Sequence, residues 1–170
     1  SRLSYEDGEK TPFTVFDTSG APIGHVSFTV EFKYLGSIVH QSLTSEVDVN
    51  KRLRAAAAAF GALRGVLCNF ALAETLRGQV YTALVLTILL YGCEVWFLRE
   101  DLFAKLRTFH NRCCRAMCRI TMAHTIRHHI KSKQLYKRLG ITAVDHYYHR
   151  RLLRWAGNVS RMPMIRVQRQ

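Results

Sequence analysis

The 170 residues carry 25 Lys/Arg against 12 Asp/Glu, a formal net charge of +13, with 48% hydrophobic and 11% aromatic residues. That apolar content suffices for a domain with a core and argues against wholesale disorder, while the basic excess points to nucleic acid first, an anionic membrane second and an acidic protein third. Five cysteines, an odd number with three inside six residues, argue against a secreted disulfide framework and for a reducing intracellular compartment, a mitochondrion or other organelle among them.

Residues 1–44 read as strand-rich. Phe13–Phe16 is a short β-prone run, and 17–22 has turn chemistry, because Gly20 permits positive φ and Pro22 fixes its own. Residues 25–30 alternate with period two. Residues 32–39 read as one further strand, with Gly36 as a bulge or a site of close backbone approach.

Helix one opens at Ser45, where Ser45 and Asp48 form a capping-box pattern. Val49, Leu53, Ala56, Phe60, Leu63 and Leu67 give it one apolar face. Helix two covers about 73–91 and is apolar on most sides. Its charge-free run, 78–93, is sixteen residues long, short of the ~20 a bilayer core requires, so a buried helix is expected. Helix three covers about 101–120 with Leu102, Leu106, Phe109, Cys113, Ala116 and Ile120 inward. Helix four runs over 124–139 and stops at Gly140. Thr142 and Asp145 then cap helix five, whose inner stripe is Val144, Tyr148, Leu152 and Trp155.

Charge divides the chain. Residues 1–100 hold nine Lys/Arg and ten Asp/Glu, a net of −1, whereas 101–170 hold sixteen and two, a net of +14. Such a stretch repels itself unless a polyanion is near. Helix geometry places Arg112, Arg115 and Arg119 on one face of helix three; Arg127, Lys131, Lys137 and Arg138 mark helix four; Arg150, Arg151 and Arg154 lie on helix five opposite its apolar stripe. Guanidinium groups suit phosphate because their donors engage two oxygens at once.

Two other constellations compete for the same residues. Cys114, Cys118, His124 and His128 form C-x3-C-x5-H-x3-H, a weak zinc candidate whose central gap is short for a finger. The turn at 139–141 between helices four and five is compatible with a helix-turn-helix presenting His146, His149, Arg150 and Arg151 to a DNA groove. Catalytic arrangements are absent from the sequence: there is no paired-aspartate hairpin for two metal ions, no glycine-rich phosphate loop and no nucleophile elbow.

Four segments share one pattern. They are Glu31-Phe-Lys-Tyr-Leu-Gly-Ser37, Val80-Tyr-Thr-Ala-Leu-Val-Leu-Thr-Ile-Leu-Leu-Tyr-Gly-Cys-Glu-Val-Trp96, Phe109-His-Asn-Arg-Cys-Cys-Arg115 and Arg150-Arg-Leu-Leu-Arg-Trp-Ala-Gly-Asn-Val-Ser-Arg-Met-Pro163. In that order and spacing they resemble the C-terminal part of a LINE-type (non-LTR) retrotransposon reverse transcriptase, from about His25 to Pro163. The resemblance implies that Phe32, Tyr34, Leu35 and Gly36 lie on a primer-grip-like strand at the end of the palm. It implies that helices one to three form a thumb and helices four and five a linker beyond it. The family's aspartate pair, in a Phe/Tyr-Ala-Asp-Asp turn upstream of the grip, is not in this sequence, and Asn158 stands where the family has His.

The expected architecture is therefore α+β, mainly α, with small N-terminal β-hairpins followed by a thumb-like bundle of about five helices. The expected domains are a strand-rich palm remnant (1–44), a helical bundle (45–122), a basic two-helix module (123–163) and a tail (164–170). The expected function is non-catalytic RNA binding through the phosphate backbone, with neighbouring proteins, inside a ribonucleoprotein such as an organellar ribosome. No cofactor and no transmembrane span are expected. The alternatives are a fragment of an active reverse transcriptase, a structural subunit of a membrane or respiratory complex, and a helix-turn-helix DNA-binding protein.

Overall fold

A computed structural model of the chain describes residues 13–26, 29–34, 36–40 and 44–162. These divide into two compact units, with the boundary between Thr44 and Ser45. The whole is α+β and mainly α, with two antiparallel hairpins followed by eight α-helical segments among the described residues.

The first unit contains the two hairpins. In one, β1 (Phe13–Phe16) pairs with β2 (Pro22–Val26), with a register shift between Val15 and Phe16. Its turn is held by Asp17, whose Oδ1 accepts the Ser19 and Ala21 N–H groups at 2.7 and 2.9 Å, with Gly20 at φ +83°. In the other, β3 (Glu31–Tyr34) pairs with β4 (Ser37–His40). The single strand expected over 32–39 is thus two strands: Gly36, at φ +89°, belongs to the turn between Tyr34 and Ser37 and is not a bulge. Leu35 and residues 27–28 of the expected strand 25–30 lie outside the described residues. Several apolar side chains of this unit, among them Phe16, Ile23 and Phe32, are exposed.

The second unit holds the core. Helix α1 (Glu46–Ala62) buries Val49 and Ala56 and ends one residue before α2 (Arg64–Leu67), so the expected first helix is interrupted at Leu63. The expected second helix is a rod over 74–89: α3 (Glu74–Val80), a π-helical turn (Tyr81–Val85) and α4 (Leu86–Leu89). Tyr81, Val85, Leu86 and Leu89 are buried along it. Among the described residues no helix is long and apolar enough to cross a membrane. Helix α5 (Glu100–Met117) buries His110, Cys114 and Met117 beside the expected Leu102, Leu106, Phe109 and Cys113.

The expected fourth helix is two: α6 (Met122–Arg127) and α7 (Ser132–Leu139). Helix α8 (Val144–Ser160) follows. It packs through Val144 and Tyr148, but Trp155, expected inward, is 45% exposed, so its stripe is covered only over its first half.

The joints between these helices share one chemistry. After α5, the Arg119 and Ile120 N–H groups bond to Ala116 O and Arg115 O; after α6, His129 and Ile130 bond to Ile126 O and Thr125 O; after α7, Gly140 and Ile141 bond to Lys137 O and Tyr136 O. Arg119 (φ +56°), His129 (φ +48°) and Gly140 (φ +65°) are all left-handed. Each is a Schellman cap with an isoleucine next, folded back onto the helix it ends. Ile120 and Ile130 pack against the core and Ile141 is within it.

Both expected capping boxes do other work. Ser45 makes no cap; its Oγ accepts the Phe97 N–H at 2.9 Å, and Asp48 Oδ2 accepts Trp96 Nε1–H at 2.9 Å. Helix α8 starts at Val144, with Ala143 at the N-cap, and Asp145 pairs instead with Arg107 on α5. Trp96 follows a short 3₁₀ turn (Cys93–Val95), and its carbonyl accepts the Tyr148 hydroxyl at 3.3 Å. One tryptophan therefore ties α1 and α8 to the link before α5.

His110 is fully buried in the middle of α5. Its Nε2 lies 3.0 Å from Thr142 O, which only accepts, so Nε2 carries the proton; Nδ1 then accepts from the Tyr81 hydroxyl at 3.0 Å. Burial holds the imidazole well below its ordinary range, at about 4. In the unfolded chain it titrates near 6.5. Stability is therefore full above pH 6.5 and falls as pH drops toward 4, by on the order of 3 kcal/mol from this group. The thermal midpoint is expected to fall over that window, and His110→Leu should remove most of this His110-linked slope while lowering stability at pH 7. A slope that persists unchanged in the variant would contradict the assignment.

Gly78 marks the closest helix approach. A Cβ there would stand 2.0 Å from the Leu139 carbonyl oxygen. Gly78→Ala is expected to push α7 off α3 and lower stability by about 3 kcal/mol in a denaturant titration. Gly61→Ala, where a Cβ meets nothing within 4 Å, serves as the benign control.

Candidate nucleic-acid interface

The described carboxylates of the helical unit are largely engaged with cations. Lys105 Nζ reaches Glu46 at 2.7 Å, Arg99 reaches Asp101 at 3.0 Å, and Arg138 Nε donates to Glu74 at 2.9 Å. Arg107 bridges Asp145, at 2.8 Å from Nε, and Glu100. Asp48 lies 3.8 Å from Arg52. Hydrogen bonds from Lys105, Arg138 and Arg99 hold the Glu46, Glu74 and Asp101 carboxyls below their usual range. These acids are therefore ionised at neutral pH.

Eleven other cations have no such partner. Among the described residues no carboxylate lies within ion-pair distance of Arg54, Arg64, Arg112, Arg115, Arg119, Arg127, Lys131, Lys133, Lys137, Arg150 or Arg154. All but Arg115, which is half-buried, are exposed.

Part of this set lines a groove between α1 and α5. One stretch, about 510 Å³, is bounded by Leu53, Arg54 and Ala57 on α1 and by Asp101, Ala104, Lys105, Thr108, Phe109 and Arg112 on α5. The next, about 360 Å³, is bounded by Ala57, Phe60, Gly61 and Arg64 and by Phe109, Arg112, Cys113 and Ala116. Residue numbers rise together on both walls, so the helices run in the same direction. Small residues open the groove: Ala57 and Gly61 on one wall, Ala104, Thr108 and Ala116 on the other. Its floor is apolar, its rims are basic, and Asp101 is the acid on its edge, already engaged by Arg99.

The expected contact residues are distributed differently from their helical spacing. Arg112 and Arg115 are on α5, but Arg119 lies past its end in the left-handed cap, with its guanidinium 5.2 Å from the Phe70 ring. The reason is the Schellman turn, which takes Arg119 off the helical repeat. Arg127 is exposed on α6; Lys131 and Lys137 stand with Lys133 at and along α7. Arg150 and Arg154 are exposed on α8. Arg151 is half-buried and donates from Nη1 to Leu90 O at 2.9 Å, at the carboxyl end of α4. His149 lies over the Phe103 ring, centroids 6.1 Å apart. Of the four residues a recognition helix would present, His149 and Arg151 thus face neighbouring elements.

Arg54, Arg64 and Lys133 were not among the residues singled out by sequence. The signal for the first two is the stripe Arg54, Ala57, Gly61, Arg64, at i, i+3, i+7, i+10, which places two cations and two small residues on one face of the helical run.

The zinc candidate does not assemble. Cys114 and Cys118 are buried, and burial pushes both thiols up. His124 on α6 and His128 just past its end are exposed, with rings 4.2 Å apart. Among the described residues no three His, Cys, Asp or Glu side chains are grouped to hold a metal ion. Of the primer-grip-like residues, Phe32 is exposed, Tyr34 is the last residue of β3, Gly36 is in the turn, and Leu35 lies outside the described residues.

No family model matches the chain, and no solved structure matches it. It is similar to an uncharacterized transposon-derived protein of Caenorhabditis elegans, 24% identical over 131 residues, which are 77% of this chain and 47% of that protein. The chain spans about half the length of the curated relative it matches. The likeness points to a transposon-related origin.

Thiol chemistry checks the burial of the cysteines. Burial pushes Cys93 and Cys113 up to about 12, on the order of a thousandfold less thiolate than a free thiol at the same pH. At pH 8 a disulfide reagent is expected to label half-buried Cys68 first, and the other four cysteines only as denaturant opens the fold. Peptide mass spectrometry reads the order. Labelling of Cys114 and Cys118 at the rate of Cys68 in the native chain would refute it.

Proposed function

We propose that the chain is a non-catalytic, reverse-transcriptase-derived RNA-binding subunit of a larger ribonucleoprotein, one that holds RNA by its phosphates. The observation that carries this reading is the set of exposed cations left over once the carboxylates are engaged in the fold. Such cations favour a polyanion and carry little sequence information, so the assembly supplies specificity. In this reading the β3–β4 hairpin corresponds to the end of a palm, α1–α5 to a thumb and α6–α8 to the linker beyond it. The α1–α5 groove, with Arg54, Arg64 and Arg112 on its rims, takes a phosphate backbone against an apolar floor.

In this reading the chain itself holds nucleic acid, and two-metal phosphoryl transfer would need a carboxylate pair from outside these 170 residues. A second reading is that the chain is the thumb end of an active LINE-type reverse transcriptase. The coverage of the C. elegans protein favours it, since over half of that relative lies outside the match. Sequencing the native transcript separates the two: an upstream aspartate-pair turn in frame supports the polymerase.

Binding should be salt-steep. Neutralising about five phosphates of single-stranded RNA gives a slope of roughly −3.5 in log affinity against log salt concentration. Joint charge reversal, Arg112→Glu with Arg150→Glu and Arg154→Glu, is expected to weaken RNA binding at least ~tenfold and flatten the slope, with helix content unchanged by circular dichroism. Salt-insensitive binding, or none, would sink the proposal.

A further inference from the structure

A second hollow, about 800 Å³, lies against α7 and the turn into α8 and shares no lining residue with the α1–α5 groove. That volume falls within the ~300–1,000 Å³ typical of small-ligand sites. Its lining is mostly apolar, from Ile141, Ala143 and the ring of Tyr136, and Lys131, Lys133 and Lys137 stand at its edge. No carboxylate lines it, and the three lysines have no ion-pair partner among the described residues. Lys133 and Lys137 are four residues apart, so they share one face of α7.

The walls are fixed. Tyr136 donates its hydroxyl to Asn111 on α5 and its ring lies 5.2 Å from that of His110, while the Thr142 carbonyl is held by His110. The hollow is therefore part of the packed unit. It offers an apolar surface beside three exposed positive charges. The Gln134 side chain accepts the Lys131 N–H through its oxygen, which leaves its amino group to donate toward an occupant.

We propose that this hollow takes one unstacked base of single-stranded RNA, with the flanking phosphates on Lys131, Lys133 and Lys137. Charge and shape select this occupant. A lysine-ringed apolar surface matches a flat ring between two anions, and a base can enter only from a strand where it is free to leave its neighbours. Lysine stems adapt to phosphates at varied positions, so the site grips without a fixed register. The inference rests on the RNA-binding reading and adds a location and a strand preference to it.

The test uses the full chain with a 5-iodouridine-substituted single-stranded RNA and photo-crosslinking, mapped by mass spectrometry. The expected crosslink is at Tyr136, with at least tenfold tighter binding to single-stranded than to duplex RNA of the same length. Ala143→Leu, which fills the hollow from its floor, should abolish that crosslink and the strand preference while keeping salt-steep binding to duplex. Lys133→Ala, at an exposed and unpaired position, gives a second reading that does not depend on repacking and should lower single-strand affinity severalfold. Crosslinks elsewhere, or a strand preference untouched by both variants, overturn the base site and leave the polyanion reading standing. Failure to bind any RNA overturns both.

Discussion

The fold depends on one neutral imidazole. His110 sits at the centre of the longest helix and makes two buried hydrogen bonds to elements far apart in sequence. Through the Tyr81 hydroxyl it fixes the π-turn of the central rod, and through Thr142 O it fixes the turn from which α8 departs. An apolar residue would fill the volume but leave the hydroxyl and the carbonyl without their partner, which costs more than the bonds contribute. The same position sets where the basic elements lie, because α7 and α8 are oriented by the turn that His110 holds. Trp96 plays the corresponding part at the other end, bonded through its ring to Asp48 and through its carbonyl to Tyr148.

The described acids are largely drawn into structure, and this shapes the charged surface. Asp48 and Asp145 could have capped helices; both instead reach across the unit, to Trp96 and to Arg107. Glu46 and Glu74, near the starts of α1 and α3, bind Lys105 and Arg138. Exposed pairs of this kind add little stability each. Each pair neutralises a cation in place, Lys105 and Arg107 on α5 and Arg138 on α7, so the excess charge rests on the cations that have no carboxylate partner. The net positive charge there is thus left uncompensated, and the self-repulsion is offset by packing of the apolar core.

Long-range chemistry decided what the sequence could reveal. Apolar periodicity located the buried faces of α1, of the 74–89 rod and of the first half of α8, because burial follows the helical repeat. Local motifs misled where a side chain had a tertiary use. Ser45 and Asp48 have the spacing of a capping box, yet the Trp96–Phe97 backbone and indole claim them. Gly36 read as a bulge because nothing local distinguishes one from a two-residue turn. The break between α6 and α7 was hidden because its left-handed residue is His129, where glycine is the usual sign. Arg119 conceals a helix end in the same way. The cations of the interface were legible as charge, but their grouping was not. The α1–α5 groove combines Arg54 and Arg64 from the near-neutral half with Arg112 from the basic half, and only packing brings them together.

The three left-handed joints give the basic surface its form. Each ends its helix at a left-handed residue and seats the next isoleucine in or against the core, so α5, α6 and α7 are separate segments and not one rod. Had the arginines and lysines continued along one uninterrupted helix, they would have formed a single straight stripe, the arrangement suited to one groove of a regular duplex. They are instead distributed over the rims of a groove, a cap, a short exposed helix and α7. The three residues at positive φ therefore shape the basic surface as directly as the number of charges does.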